Sequence, residues 1–136
     1  MSEPSFADWL AICNVKARYC RLLDTKQWDA WGDLFTEDCV LDTTASGGPV
    51  YAGRAEIVAG VRKAIDPAKT AHQVHSPEVT IEGDTASAVW AMQDRVIWSD
   101  DVALTGYGHY HEDYRRCADG QWRIARQSLT RLVLER

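Results

Sequence analysis

Residues 17–39 read ARYCRLLDTKQWDAWGDLFTEDC. This stretch holds the end of one helical pattern and the start of a second, and it carries Tyr19 and Asp24. Upstream, Ser5 followed by Asp8 resembles a capping box with Asp in the Glu place, so a helix begins there. Phe6, Trp9, Leu10, Cys13, Ala17, Cys20 and Asp24 then share one stripe at spacings of three, four and seven. Ile12, Val15, Tyr19 and Leu22 form a second apolar stripe, and Asn14, Arg18, Arg21 and Thr25 a polar strip. A helix apolar on two stripes is covered on two sides. Asp24 therefore continues an inward stripe just where the helix should stop. A carboxylate is out of place there for packing, because a buried unpaired charge is costly.

Downstream, Trp28 to Phe35 reads as a short second helix with Trp28, Trp31, Leu34 and Phe35 as its buried set. Thr36-Glu37-Asp38 turns the chain, Cys39 to Thr43 is a short strand, and residues 45–49 (ASGGP) form a loop. A third helix spans about Arg54 to Ile65, with Ile57, Val58, Val61 and Ile65 on one face, and Asp66-Pro67 stops it. The period then changes to two. A first long strand covers Lys69 to Glu82, where Ser76-Pro77 implies an edge or a bulge. After a turn at Glu82-Gly83-Asp84, the next strand puts Ala86, Ala88, Trp90, Met92, Asp94 and Val96 on one face. Strands from Val102 to Cys117 and from Gln121 to about Leu134 follow. Three helices with an early strand, then a four-stranded antiparallel meander, indicate an α+β fold.

The chain has 136 residues, the size of one ordinary domain, with 46% apolar residues and six Trp. Six large rings suggest an aromatic-lined interior. A net charge of -5 without a Lys/Arg stripe disfavours a nucleic-acid partner. No apolar run approaches the roughly 20 residues that span a bilayer, so no membrane partner is expected. The start, MSEPSFADWL, has no basic segment followed by an apolar one, so a signal peptide is not expected. Cys13, Cys20, Cys39 and Cys117 form no CxxC pair and are expected to stay reduced, in a cytoplasmic protein.

Three segments carry a family resemblance: WDAWGDLFTEDC, YAGRAEIVAGV and ADGQWRIAR. In their order and separations the chain resembles the nuclear-transport-factor-2-like superfamily in its SnoaL-like branch, over nearly its whole length. The resemblance implies a cone-shaped, curved antiparallel sheet wrapped by three N-terminal helices, a cystatin-like α+β barrel with a pocket at its open end. It also implies a homo-oligomer, dimer or trimer, with the convex sheet face covered by a second chain. Dehydratases and a dehydrochlorinase of this fold use an Asp at the end of the first helix and a His in the first long strand. By motif, YCRLLDTKQW carries that Asp at Asp24 and TAHQVH carries that His at His72. The resemblance further places a Tyr at Tyr19, an acid near Asp94 and an Arg near Arg131. Fold alone settles no function within such a superfamily.

An Asp–His pair makes imidazole a directed base: the carboxylate holds one ring nitrogen and stabilises the imidazolium, and the other nitrogen takes a proton from carbon. Tyr19 would assist the leaving group and Arg131 would hold a developing anion. Asp94 shares a face with Trp90 and Met92 and reads as a second pocket acid. The expected function is a cofactor-free lyase acting on a small hydrophobic, oxygenated ring compound by β-elimination. An isomerase using the same proton-transfer pair is the nearest alternative; a ketosteroid-isomerase-like isomerase or cyclase comes after it, its base falling near Thr43 with Asp42 one residue off. A third alternative is a non-catalytic ligand-binding module, in which Asp24 and His72 merely close a helix end. His72, His75, His109 and His111 include HxxH and HxH spacings, but His75 should point away from His72 and no carboxylate completes a pattern, so no metal is expected.

Overall fold

The computed structural model describes residues 5–136; of the N-terminal stretch read for a signal peptide, residues 1–4 lie outside it. In chain order the elements are α1 (Phe6–Asp24), α2 (Trp28–Gly32), β1 (Phe35–Asp42), a 3-10 turn (Thr44–Ser46), β2 (Val50–Ala52), α3 (Arg54–Ile65), β3 (Lys69–Glu82), β4 (Thr85–Ile97), β5 (Ala103–Arg116) and β6 (Trp122–Glu135). The six strands make one sheet in the order β2-β1-β6-β5-β4-β3. It is curved but not closed into a barrel, so β2 and β3 remain edges. The four long strands are antiparallel, as the meander requires. The β1–β6 pair is parallel, which the antiparallel reading did not include. The connection between these two strands passes through α3 and four other strands, long enough for a parallel return.

Helix α1 starts as its sequence dictates: the Ser5 hydroxyl accepts from the Asp8 N–H at 3.1 Å. Of the two apolar stripes expected to be covered, the second supplies the core face. Ile12, Val15, Tyr19, Leu22 and Leu23 are buried, together with Lys16. Phe6 is 72% exposed and Trp9 40%. The Phe6–Asp24 stripe instead lies along the edge strand β3, with Phe6 and Trp9 beside Val79 and Ile81. An edge strand covers less surface than the middle of a sheet, so along that stripe only Cys13, Cys20 and Asp24 are half-buried and the rest are exposed.

The second helix stops at Gly32, and β1 begins at Phe35, where a helix end and then a turn were expected. Tertiary partners claim these residues. Gly32 lies so close to Val58 of α3 that a Cβ would stand 2.8 Å from Val58 Cγ2. Phe35 pairs with Ile124 of β6, and its carbonyl accepts from the Arg54 guanidinium. The short strand β2, not foreseen, pairs antiparallel with β1. Ser76, with a φ of 50°, and Pro77 sit at a bulge in β3.

The inner face of β4 carries Ala86, Ala88, Trp90, Met92, Asp94 and Val96, all buried. Trp31 and Phe35 stack edge-on at 4.8 Å beneath Tyr19. Trp28, Trp31, Trp90 and Trp122 are buried. Each such side chain contributes about 1.5–3 kcal/mol on burial, which fixes α1 and α2 against the concave sheet face.

Candidate active site

Asp24 is the last residue of α1, where the helix dipole disfavours a negative charge. Three donors offset this. Its Oδ1 accepts from the Thr70 hydroxyl at 2.9 Å, its Oδ2 from the His72 backbone N–H at 2.8 Å, and its Oδ1 also meets His72 Nδ1 at 2.6 Å. Lys26, in the left-handed region at φ 60°, curls back and donates to the Thr70 hydroxyl at 3.1 Å. Burial pushes the Asp24 carboxyl up, but the His72 ring, the His72 N–H and Thr70 outweigh it and hold the pKa below the usual carboxylate value. An ionised carboxylate only accepts, so Nδ1 donates to Asp24 and Nε2 is the ring nitrogen left over. The His72 side chain is 8% exposed and, among the described residues, Nε2 has no hydrogen-bond partner.

His72 lines a cavity of about 300 Å³, and Asp24 sits behind it. The walls are mostly apolar, with Leu23, Leu41, Tyr51, Ile65, Val96 and Leu129 among them; Tyr19, Tyr110, Gln127 and Arg131 supply polar atoms. A mainly apolar hollow with a few convergent polar groups is the form small-molecule sites take.

The other expected residues fall nearby, with altered surroundings. Tyr19 lines the cavity, but its hydroxyl donates to Gln127 Oε1 at 3.1 Å, and burial pushes its pKa well up. Asp94 is the cross-strand neighbour of His72, yet both its oxygens take the Arg131 guanidinium, at 2.7 and 3.0 Å. It is therefore an ion-pair partner and not a free pocket acid. Arg131 reaches the cavity and also donates to the Ser46 hydroxyl at 3.0 Å. Gly106 makes this pair possible, since a Cβ there would lie 2.0 Å from Arg131 Nη1. Asp42, the alternative base, caps the 3-10 turn by accepting from the Thr44 N–H and hydroxyl, at 2.9 and 2.7 Å. Thr43 occupies the cavity wall, and its hydroxyl is taken by the Pro49 carbonyl at 2.6 Å. His75, His109 and His111 occupy β3 and β5 positions of the opposite parity from His72 and Tyr110, away from the cavity.

Sequence reasoning missed a buried polar network under this cavity. Lys16 donates to Glu112 at 2.9 Å with both side chains fully buried. Glu112 also accepts from Tyr114 at 2.5 Å and from the Gln127 amide. Lys16 lies over the rings of Tyr19 and Tyr110, 3.7 and 3.6 Å from their centroids. The signals existed: Lys16 sits four after Ile12 and three before Tyr19, and Glu112 keeps the inward parity of Tyr110 and Tyr114. Thr70 is likewise two before His72 on the same strand face.

The family model for a SnoaL-like domain matches residues 4–128. The chain is 27% identical over 121 residues to the "probable cyclase FGR4" of Gibberella zeae, covering 79% of this chain and 81% of that protein. Among solved structures, it superposes on a Novosphingobium aromaticivorans protein provisionally named an aromatic ring hydroxylase, with TM-score 0.89 and 30% identity over 98% of this chain and 95% of that one. It also shares the fold of a hexachlorocyclohexane dehydrochlorinase, LinA type 2, with TM-score 0.84 and 15% identity over 95% and 88% of the two chains.

Proposed function

Because this chain belongs to the SnoaL-like domain family, with the nuclear-transport-factor-2-like fold, we propose that it is a small lyase that needs no cofactor and acts on a small hydrophobic, oxygenated ring compound. One observation carries the reading: His72 is held at Nδ1 by the Asp24 carboxylate and lines an apolar cavity, with no hydrogen-bond partner at Nε2 among the described residues. In the proposed step, Nε2 takes a proton from a ring carbon. The C–H electron pair becomes a C=C bond, and the adjacent C–O or C–halogen bond breaks with its pair leaving on oxygen or halide. The imidazolium, stabilised by Asp24, returns its proton to the departing group or to water. Tyr19 shapes the wall, and Arg131, oriented by Asp94, places positive charge beside the developing anion. The dehydrochlorinase with this fold carries out an elimination by name, in keeping with this reading.

A cyclase or isomerase would use the same proton transfer without a departing group, and the Gibberella zeae relative favours keeping that reading beside the first. One experiment separates them. The protein is incubated in D2O with a panel of one- and two-ring β-hydroxy ketones, and NMR follows ring protons. A lyase gives deuterium exchange and loss of water, and an isomerase gives exchange alone. His72→Ala should abolish both. If no panel member reacts, or His72→Ala matches the wild type, the non-catalytic binding module takes the place of both.

A second copy of this chain is the proposed partner on the convex sheet face, where Tyr107 and Val133 pair across β5 and β6 at 41% and 45% exposure. Sedimentation should show a dimer or trimer that Tyr107→Lys weakens; a monomer at micromolar concentration would exclude it.

A further inference from the structure

We infer that the cavity takes its ring compound as a carboxylate, with the acid group held at the mouth by Arg136 and the ring turned toward His72. This rests on the proposed reading of the cavity as a ligand site. The charges on the walls are one-sided. Arg131 and Arg136 line the cavity, and among the described residues no Asp or Glu does. The two cations stand differently. Arg131 is already neutralised: Asp94 takes its guanidinium with both oxygens, and its Nε donates to Ser46. Arg136 is exposed, and among the described residues its guanidinium has no acceptor. A guanidinium offers its N–H groups as a planar fork that matches the two oxygens of a carboxylate. At the rim of an apolar hollow, such a fork is a ready site for an acid group on a ligand whose body lies inside.

Charge also sets the orientation. Asp24 stands behind His72 on the β3 side and repels an anion there. Arg136 follows β6, three strands from β3 in the sheet order. The β6 side of the cavity is therefore positive, while the β3 side is backed by a carboxylate. Ser46 adds a donor to the β6 side, where the 3-10 turn that carries it packs. Its oxygen accepts from Arg131, which leaves its own proton to donate. An acid group settles on this side and leaves the ring among the apolar walls, its carbons toward His72. The volume of about 300 Å³ lies at the small end of ligand sites and suits one or two rings. A neutral compound of the same shape fills the same walls but gains no ion pair from Arg136.

The test uses 2-naphthoate and its neutral analogue 2-naphthamide, with binding measured by calorimetry at neutral pH. The wild type should bind the acid about tenfold more tightly than the amide, the worth of a hydrogen-bonded charge. Arg136→Gln should remove most of that preference and leave amide binding unchanged. Arg95→Gln takes the same charge from the outer face of β4 and should leave the preference intact. In the wild type, nuclear Overhauser contacts should join the naphthoate ring protons to the His72 ring. Amide binding as tight as acid binding would overturn the inference and leave the cavity a ligand site. So would a preference that survives Arg136→Gln, or one that Arg95→Gln reduces equally. Naphthoate that binds without contact to His72 would overturn the orientation. If neither compound binds the wild type, the cavity reading falls and takes this inference with it.

Discussion

At the scale of single residues, the site depends on how Asp24 is held. Asp24→Asn keeps the shape but removes the ionised acceptor that fixes the His72 tautomer. With a turned-over substrate, kcat/KM should fall by about 10²–10⁴-fold, with circular dichroism unchanged. A fall of less than about threefold would mean that Asp24 is only structural. The same residue leaves a pH signature. Its folded pKa lies below the ordinary value because the His72 and Thr70 hydrogen bonds outweigh burial. The stability this contributes is present above the unfolded pKa of about 3.9 and is lost as pH falls through the folded one. Urea midpoints taken from pH 6 downward should therefore drop more steeply below about pH 4 for the wild type than for Asp24→Asn. Parallel curves would show that the carboxylate gains nothing from its partners.

At the scale of elements, strand β5 separates space made for packing from space made for the site. A Cβ on Gly108 would stand 1.9 Å from the Thr130 carbonyl oxygen, which is backbone of the neighbouring strand. Gly108→Ala must part β5 from β6 and should cost roughly 1–3 kcal/mol. A Cβ on Gly106 would meet side-chain ends instead, Arg131 Nη1 at 2.0 Å and Asp94 Oδ1 at 2.5 Å. These can swing aside, so Gly106→Ala should cost less stability but break the guanidinium–carboxylate fork and weaken ligand binding. Denaturant unfolding of the two variants decides the order, and the reverse order would show the ion pair to be the stiffer of the two neighbours.

At the scale of the whole molecule, α1 is tied to the sheet by a charge pair buried in the core. Burial lowers the Lys16 pKa, and Glu112 opposes that. Removing one partner leaves the other charge uncompensated, so Lys16→Met should destabilise by roughly 3–5 kcal/mol. Adding Glu112→Gln removes the stranded charge and should restore at least half of the loss in a double-mutant cycle. If the double variant is no more stable than Lys16→Met, the pair is not what the loss reports. Because Glu112 also orients Gln127 and through it Tyr19, the double variant should alter ligand affinity even where stability recovers.

Local signals were enough for much of this architecture. Ser5, Asp66-Pro67, the Gly-containing turns and the change of period after Pro67 delimit α1, α3 and the four long strands, because capping, proline geometry and alternation act within a few residues. The alternation of β4 alone placed Trp90, Met92 and Asp94 on the inner face. Three features were settled only by tertiary structure. Two equally plausible apolar stripes on α1 could not be ranked until β3 proved to be an edge and the concave face took Ile12, Tyr19 and Leu23. The residues between Gly32 and Phe35 carry helical propensity, but pairing with β6 outweighed it. The meeting of Asp24 with His72 spans 48 positions, and that of Lys16 with Glu112 spans 96. Hydrogen bonds and ion pairs reach only a few ångströms and leave no mark on sequence spacing. Which charges find one another is therefore fixed by the curvature and register of the sheet, not by any stretch of the chain.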